Sequence, residues 1–291
     1  MKAMNGIFTA LLTPFCDDGS INRDALQKLI RFNIDSGVHG FYVGGSTAEA
    51  MMMADEQRKE LFDIVKGTAG DEVRLIAHVG STATDSAVSM ALTAQKLGYD
   101  AVSAVAPFYY GHTLDAVKQY YLDIAAAADM PVFIYNFSLG TGFNLTPDIA
   151  ADLFSRDSRF AGVKHTSLDL FALQQFKERI PGITVLNGFD EVCLGGLAMG
   201  ADGAIGSTYN FMGKKFVAIY NAFCSGDLAA AQKLQNEACH IIAVMCRYGV
   251  MQCEKEILTQ MGVADMGQCR RPFLPLTQEG KQAVSELIPL L

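Results

Sequence analysis

Phe160-Ala-Gly-Val-Lys-His-Thr-Ser167 is an apolar run that ends on a lysine and passes into polar residues opening a helix-like segment. A short apolar run closed by a turn predicts a buried parallel strand. A lysine at the end of such a strand has two readings. Its ammonium snorkels to the surface or pairs with an acid from elsewhere, because long charged side chains are seldom fully buried. Alternatively it stays desolvated, which lowers an amine's pKa and leaves it neutral, able to attack a carbonyl carbon and form an imine. The stretch alone favours the first reading, and the rest of the chain has to decide.

Outward from this stretch the same alternation recurs in both directions. Apolar runs at 7–15, 40–45, 74–80, 101–107, 131–136, 160–164, 183–188 and 204–207 predict eight strands. Between them, residues 22–37, 55–69, 85–97, 114–128, 168–179 and 191–199 show helical periodicity, and Thr146-Pro147 opens a further helix with an N-cap and a first-turn proline. Eight strand–helix units of even spacing predict an α/β fold, a (β/α)8 TIM barrel over residues 1–212. Residues 214–223, 228–249 and 254–261 read as further helices, so 213–291 is expected to be a C-terminal helical appendage packed on the barrel.

Composition narrows the function. Of 291 residues, 50% are hydrophobic and 19% charged, which predicts a globular chain. The net charge of −8 and the lack of a basic run argue against a nucleic-acid partner. No apolar segment approaches the roughly twenty residues of a membrane span. The stretch at 1–12 is too short and poorly flanked for a signal peptide. The odd set Cys16, Cys193, Cys224, Cys239, Cys246, Cys253 and Cys269 contains no Cys-x-x-Cys pair, and Cys239, Cys246 and Cys253, seven apart, fit one face of a helix. Reduced thiols in a cytoplasmic protein are expected. The five histidines lack ligand spacing, so no metal site is expected.

A barrel of this kind keeps its chemistry at the C-terminal ends of its strands. There the sequence places Gly44-Gly-Ser-Thr-Ala-Glu49, Pro107-Phe-Tyr-Tyr110, Tyr135, Lys164 with Thr166, Gly188-Phe-Asp-Glu191 and Gly206-Ser-Thr208. Lys164 would form an iminium, an electron sink for C–C cleavage. Tyr135 would shuttle the proton. The Gly-Gly-Ser-Thr turn offers N–H groups and hydroxyls to a carboxylate, and Asp190 and Glu191 accept hydrogen bonds from hydroxyls. Each also has a structural reading. Ser46 and Thr47 would cap the next helix with Glu49 completing the cap, Asp190 would be an N-cap, and Tyr135 would be core with a satisfied hydroxyl.

These strand ends resemble those of the pyruvate-dependent class I aldolase family that contains dihydrodipicolinate synthase and N-acetylneuraminate lyase. The resemblance extends over nearly the whole chain. Gly44-Gly-Ser-Thr47 is similar to the family's carboxylate-binding turn, Tyr135-Asn136 to its tyrosine motif and Gly162-Val-Lys164 to its Schiff-base motif. Ala77-His-Val-Gly80, Asp100-Ala-Val-Ser-Ala-Val105, Asn187-Gly-Phe-Asp-Glu191, Ile205-Gly-Ser-Thr-Tyr-Asn210 and Lys164-His-Thr-Ser167 look like the lyase branch. The resemblance implies Lys164 as the imine lysine and Tyr135 as proton donor and acceptor. It implies Ser46 and Thr47 at the pyruvate carboxylate, and Thr166, Gly188, Asp190, Glu191 and Ser207 at the sugar end. Tyr110 matches the tyrosine that reaches a neighbouring subunit's site, and a homotetramer is the usual assembly. The partners implied are small molecules, sialic acid and pyruvate, with no metal or organic cofactor.

Two positions depart from the family pattern. Ala48 stands where a glycine is usual, and if that position has positive φ the alanine costs about 1 kcal/mol. Ser138 replaces the proline of Tyr-Asn-x-Pro and is expected to loosen the loop that follows. No arginine occurs in Phe137-Ser-Leu-Gly-Thr-Gly142, which argues against a synthase. The activity expected is reversible cleavage of N-acetylneuraminate to N-acetylmannosamine and pyruvate. Its rivals are another pyruvate-dependent aldolase or dehydratase of this fold, and a non-catalytic sugar-acid binding protein.

Overall fold

The computed structural model describes residues 4–291, so the first three residues of the stretch weighed as a signal peptide lie outside it. The strands are β1 (Gly6–Ala10), β2 (Gly40–Val43), β3 (Arg74–His78), β4 (Ala101–Val105), β5 (Val132–Asn136), β6 (Phe160–His165), β7 (Thr184–Asn187) and β8 (Gly203–Gly206). They close into a barrel in chain order, and the paired strands run parallel, as in β5 with β6 and β6 with β7. The strands are buried almost throughout, which is why they read as continuous apolar runs rather than as alternation. The (β/α)8 fold expected from the spacing is the fold observed.

Contacts group the chain into two units. The first comprises residues 4–6 with Arg74–Ile205. It carries α3 (Thr84–Leu97), α4 (Leu114–Ala127), α5 (Ser138–Thr141), α6 (Pro147–Arg156), α7 (Leu170–Arg179) and α8 (Cys193–Ala198). Three of these helices, α4, α6 and α7, start where a side chain satisfies a first-turn N–H group: Thr113 accepts from Ala116 N, Thr146 from Ile149 N and Asp169 from Ala172 N. Close strand packing makes Gly162 obligatory, since a Cβ there would lie 2.3 Å from the Phe133 ring and 2.5 Å from Thr184 O.

The second unit comprises Ile7–Val73 with Gly206–Leu291. It holds α1 (Arg23–Asp35), α2 (Asp55–Ala69), α9 (Tyr209–Cys224), α10 (Leu228–Tyr248), α11 (Val250–Gln260) and α12 (Gln278–Leu287). Asn210 ties β1 to the start of α9: it donates to Ala10 O at 2.7 Å and accepts from Leu12 N at 3.1 Å. Its own carbonyl accepts from Asn33 Nδ2 at 3.1 Å.

Two local expectations change. Gly249, with φ 108, ends α10 and starts α11, so Cys239 and Cys246 lie on one helix and Cys253 on the next. Cys246 is exposed and Cys253 buried, so the three do not share a face. The helix expected at 191–199 is a 3-10 turn, Asp190–Val192, followed by α8. The stretch after Ser138 is a helical turn, α5, closed by Gly142 N donating to Ser138 O at 2.8 Å. Among the described residues no helix is long and apolar enough to cross a membrane. Nor does any group of three His, Cys, Asp or Glu side chains there suit a metal ion.

Candidate active site

In the first unit, register sets the site. Tyr135 on β5 pairs with Lys164 on β6, and Lys164 with Leu186 on β7. Lys164 is 5% exposed and Tyr135 4%. The Lys164 Nζ lies 4.1 Å from the centre of the Tyr135 ring. That ring packs edge-on to His78, with centroids 5.8 Å apart, and stacks on Phe137 at 5.6 Å and an interplanar angle of 7°. Burial pulls the Lys164 amine down to about 7, and the opposing attraction of Asp190 does not restore it. Desolvation penalises the ammonium more than the π face and the attraction of Asp190 return. The amine is therefore available as a nucleophile near neutral pH.

Asp190 is itself buried, on the 3-10 turn after β7, while the adjacent Glu191 is exposed. Neither that turn nor α8 is capped by a side chain, so the N-cap reading of Asp190 does not hold. Thr166 N donates to Asn136 O at 2.9 Å, and Gly188 N donates to His165 O at 2.8 Å, which locks the ends of β5, β6 and β7 together. The Thr166 Oγ1 is buried without a hydrogen-bond partner among the described residues. It occupies the space of a side chain at Gly188, where a Cβ would lie 1.9 Å from it. Buried hydroxyls are ordinarily paired, so this one marks a place where a ligand atom fits.

The sequence reading missed a second polar group behind these residues. His165 Nε2 lies 2.9 Å from Asp169 O, which only accepts, so Nε2 carries the hydrogen and Nδ1 accepts from Asn136 Nδ2 at 3.2 Å. Burial lowers the His165 pKa, against the pull of Asp169, which keeps the ring in this neutral form. Asn136 also grips Leu145 on both sides, accepting from its N–H at 3.0 Å and donating to its carbonyl at 3.2 Å. Together they pin both ends of the loop carrying Phe137. Their short separation from Tyr135 and Lys164 in sequence was the one available signal.

Tyr110 does not join the buried group. It is 69% exposed, with its ring against Tyr109 at 5.0 Å and His112 at 6.4 Å. Tyr109 itself takes φ 78, a strained value for a residue with a Cβ.

In the second unit, Ser46 and Thr47 occupy the turn after β2, Ser46 exposed and Thr47 half-buried. They do not cap the next helix: α2 begins at Asp55 behind Ala54, and the intervening 3-10 turn, Ala50–Met52, has no side-chain cap. Nor does Glu49 complete a capping box. It is buried, takes φ 62 and is bonded to Lys255. Ala48 is outside the left-handed region, so the cost foreseen at 48 is absent there and the positive φ falls on Glu49 instead. Ser207 follows β8, and its carbonyl accepts from both nitrogens of Asn210, at 3.1 and 2.7 Å.

The model of the dihydrodipicolinate synthetase family matches residues 3–290 of this sequence. The chain belongs to that family. Among its members, the chain is 41% identical over 286 residues to an N-acetylneuraminate lyase of Rhizobium meliloti, covering 98% of this chain and 94% of that protein. Among solved structures it is similar to CdNal from Clostridium difficile in complex with mannosamine, with a TM-score of 0.96, 36% identity and 99% of each chain covered. It is also similar to a catalytic lysine mutant of a Ruminococcus gnavus sialic acid aldolase, with a TM-score of 0.96 at 29% identity over 100% of this chain and 97% of that one. The family resemblance of the strand-end motifs thus extends along the whole chain.

Proposed function

We propose that this protein is an N-acetylneuraminate lyase that works through an imine at Lys164. The carrying observation is the Lys164 amine, buried against the Tyr135 ring with its pKa at about 7. The neutral amine attacks the keto carbon of the open-chain sugar acid, and loss of water gives an iminium. Tyr135 takes the proton from the hydroxyl on the carbon being cleaved. The C–C bond breaks, its electron pair moves toward the iminium nitrogen, and N-acetylmannosamine leaves. Tyr135 returns the proton to the enamine carbon, and water then releases pyruvate and restores the amine. The iminium is itself the electron sink, so the chemistry calls for no metal or organic cofactor.

In this reading Ser46 and Thr47 bind the keto-acid carboxylate. Thr166, Gly188, Asp190, Glu191 and Ser207 serve the sugar end, where the open Thr166 hydroxyl meets a substrate oxygen. Tyr110, exposed on its loop, contributes to a neighbouring subunit's site in a cytoplasmic homotetramer. The test is borohydride reduction in the presence of pyruvate. A stable mass gain on Lys164 is expected, together with pyruvate release from N-acetylneuraminate. Trapping without activity on the sialic acid would assign a different keto sugar acid. No trapping at all would end the imine mechanism.

A further inference from the structure

The turn after β2 is held by a buried charge pair that the mechanism above does not use. Glu49 is the residue on which this turn bends, in a left-handed conformation that side chains with a Cβ rarely adopt. Its carboxylate is enclosed, with Glu49 and Lys255 each 2% exposed. Lys255 Nζ, from α11, donates to Oε1 at 2.6 Å, and the Arg270 N–H donates to Oε2. Lys255 Nζ also reaches Gln268 O at 3.2 Å. The Phe15 ring lies against both cations, 4.7 Å from Lys255 Nζ and 4.2 Å from the Arg270 guanidinium. Arg270 further donates to Met52 O, one turn beyond Glu49.

One carboxylate thus fastens residues 44–52 to α11 and to the segment at 268–270. A buried ion pair adds little stability over an apolar pair of similar volume, so its effect here is geometric. A strained φ persists only where its surroundings over-determine it, and three donors on Glu49 and its neighbours do that. Within the turn, Ala48 N and Glu49 N are already bonded to Gly45 O and Ser46 O, at 3.1 and 2.9 Å. The bend at 49 therefore fixes where Ser46 and Thr47 stand.

We propose that Glu49 and Lys255 are positioning residues for recognition of the keto-acid carboxylate, holding the turn that presents Ser46 and Thr47 to it. This rests on the reading that the turn binds that carboxylate. The test compares Glu49→Gln and the double variant Glu49→Gln/Lys255→Met, which leaves no unpaired buried charge, with the unaltered chain. The pyruvate concentration giving half-maximal borohydride trapping is expected to rise about tenfold in both, the effect of one well-placed hydrogen bond to a charged group. Maximal trapping and kcat stay within about twofold, because the groups that react are untouched. Where the single variant does not fold, the double variant is read alone. A purely structural role predicts a lower Tm and less active protein with unchanged half-saturation, and that result overturns the proposal. If the unaltered chain is not trapped, the proposed function fails and takes this inference with it.

Discussion

Lys164 and Lys255 are both removed from water, 5% and 2% exposed, and each has its Nζ over an aromatic ring. What differs is the carboxylate. Lys255 has Glu49 Oε1 at 2.6 Å and a carbonyl at 3.2 Å. For Lys164 burial outweighs the influence of Asp190, and its pKa falls to about 7. Burial alone therefore does not make a lysine a nucleophile. A buried lysine held by a carboxylate at 2.6 Å serves as an anchor, and one whose burial prevails becomes a reactive amine.

Opposite responses to one substitution would sharpen that contrast most. Lys164→Met should abolish borohydride trapping with pyruvate and raise the Tm. Lys255→Met should leave Glu49 buried without its cation and cost about 3–5 kcal/mol in urea denaturation. If both variants shift stability in the same direction, the distinction between the two lysines is lost.

The Lys164 contrast also depends on pH. Its folded pKa, about 7, lies below the 10.5 of the exposed amine, so between those values the unfolded chain holds a proton that the folded chain does not. Stability then rises with pH through that window. At about 1.4 kcal/mol per pKa unit, the move from 10.5 to about 7 corresponds to roughly 5 kcal/mol, a ceiling on the gain from Lys164→Met. The stability gap between that variant and the unaltered chain should be widest below pH 7 and close toward pH 10.5. The initial rate of trapping should climb from pH 6 to 8 as the neutral amine accumulates. A gap that does not change with pH would mean that Lys164 is charged when folded.

A smaller loss tests the packing around the nucleophile. Gly188→Ala would set a Cβ against the Thr166 hydroxyl and the Thr166 backbone, which lies at 2.9 Å. Overpacking of that kind costs about 1–3 kcal/mol. Urea denaturation gives the cost, and an unchanged midpoint would mean that the β6 and β7 ends separate easily.

Much of this was legible in the sequence because it is local. Buried parallel strands are continuous apolar runs, and caps such as Thr146 with Pro147 are read from neighbouring residues. Lys164 stood out because a charge at the end of an apolar run is conspicuous. Lys255 did not, since Glu254-Lys255-Glu256 on a helix reads as a solvated face. Its partner is 206 residues away, and no spacing rule connects them. The positive φ at Glu49 rather than at 48 is likewise set by what the turn meets in the fold. The α12 helix was missed because Gly280 interrupts a short, weakly apolar stretch. Such features are decided by what the chain meets after folding.

Thr166→Val should have the smallest effect on stability and separates the two ends of the substrate. The Thr166 hydroxyl is buried and has no hydrogen-bond partner among the described residues, so it adds no bond to the folded state and still pays its desolvation. Valine keeps the branched shape and removes the unpaired oxygen. Stability should stay the same or rise by up to about 1 kcal/mol, whereas losing a satisfied hydroxyl would lower it by a similar amount. Pyruvate reaches only the imine end, so half-saturation in borohydride trapping should not move. N-acetylneuraminate extends past it, and its KM should rise severalfold as a substrate oxygen loses its partner. A drop in Tm would show that the hydroxyl is already bonded in the fold, and an unchanged KM would remove Thr166 from the sugar end.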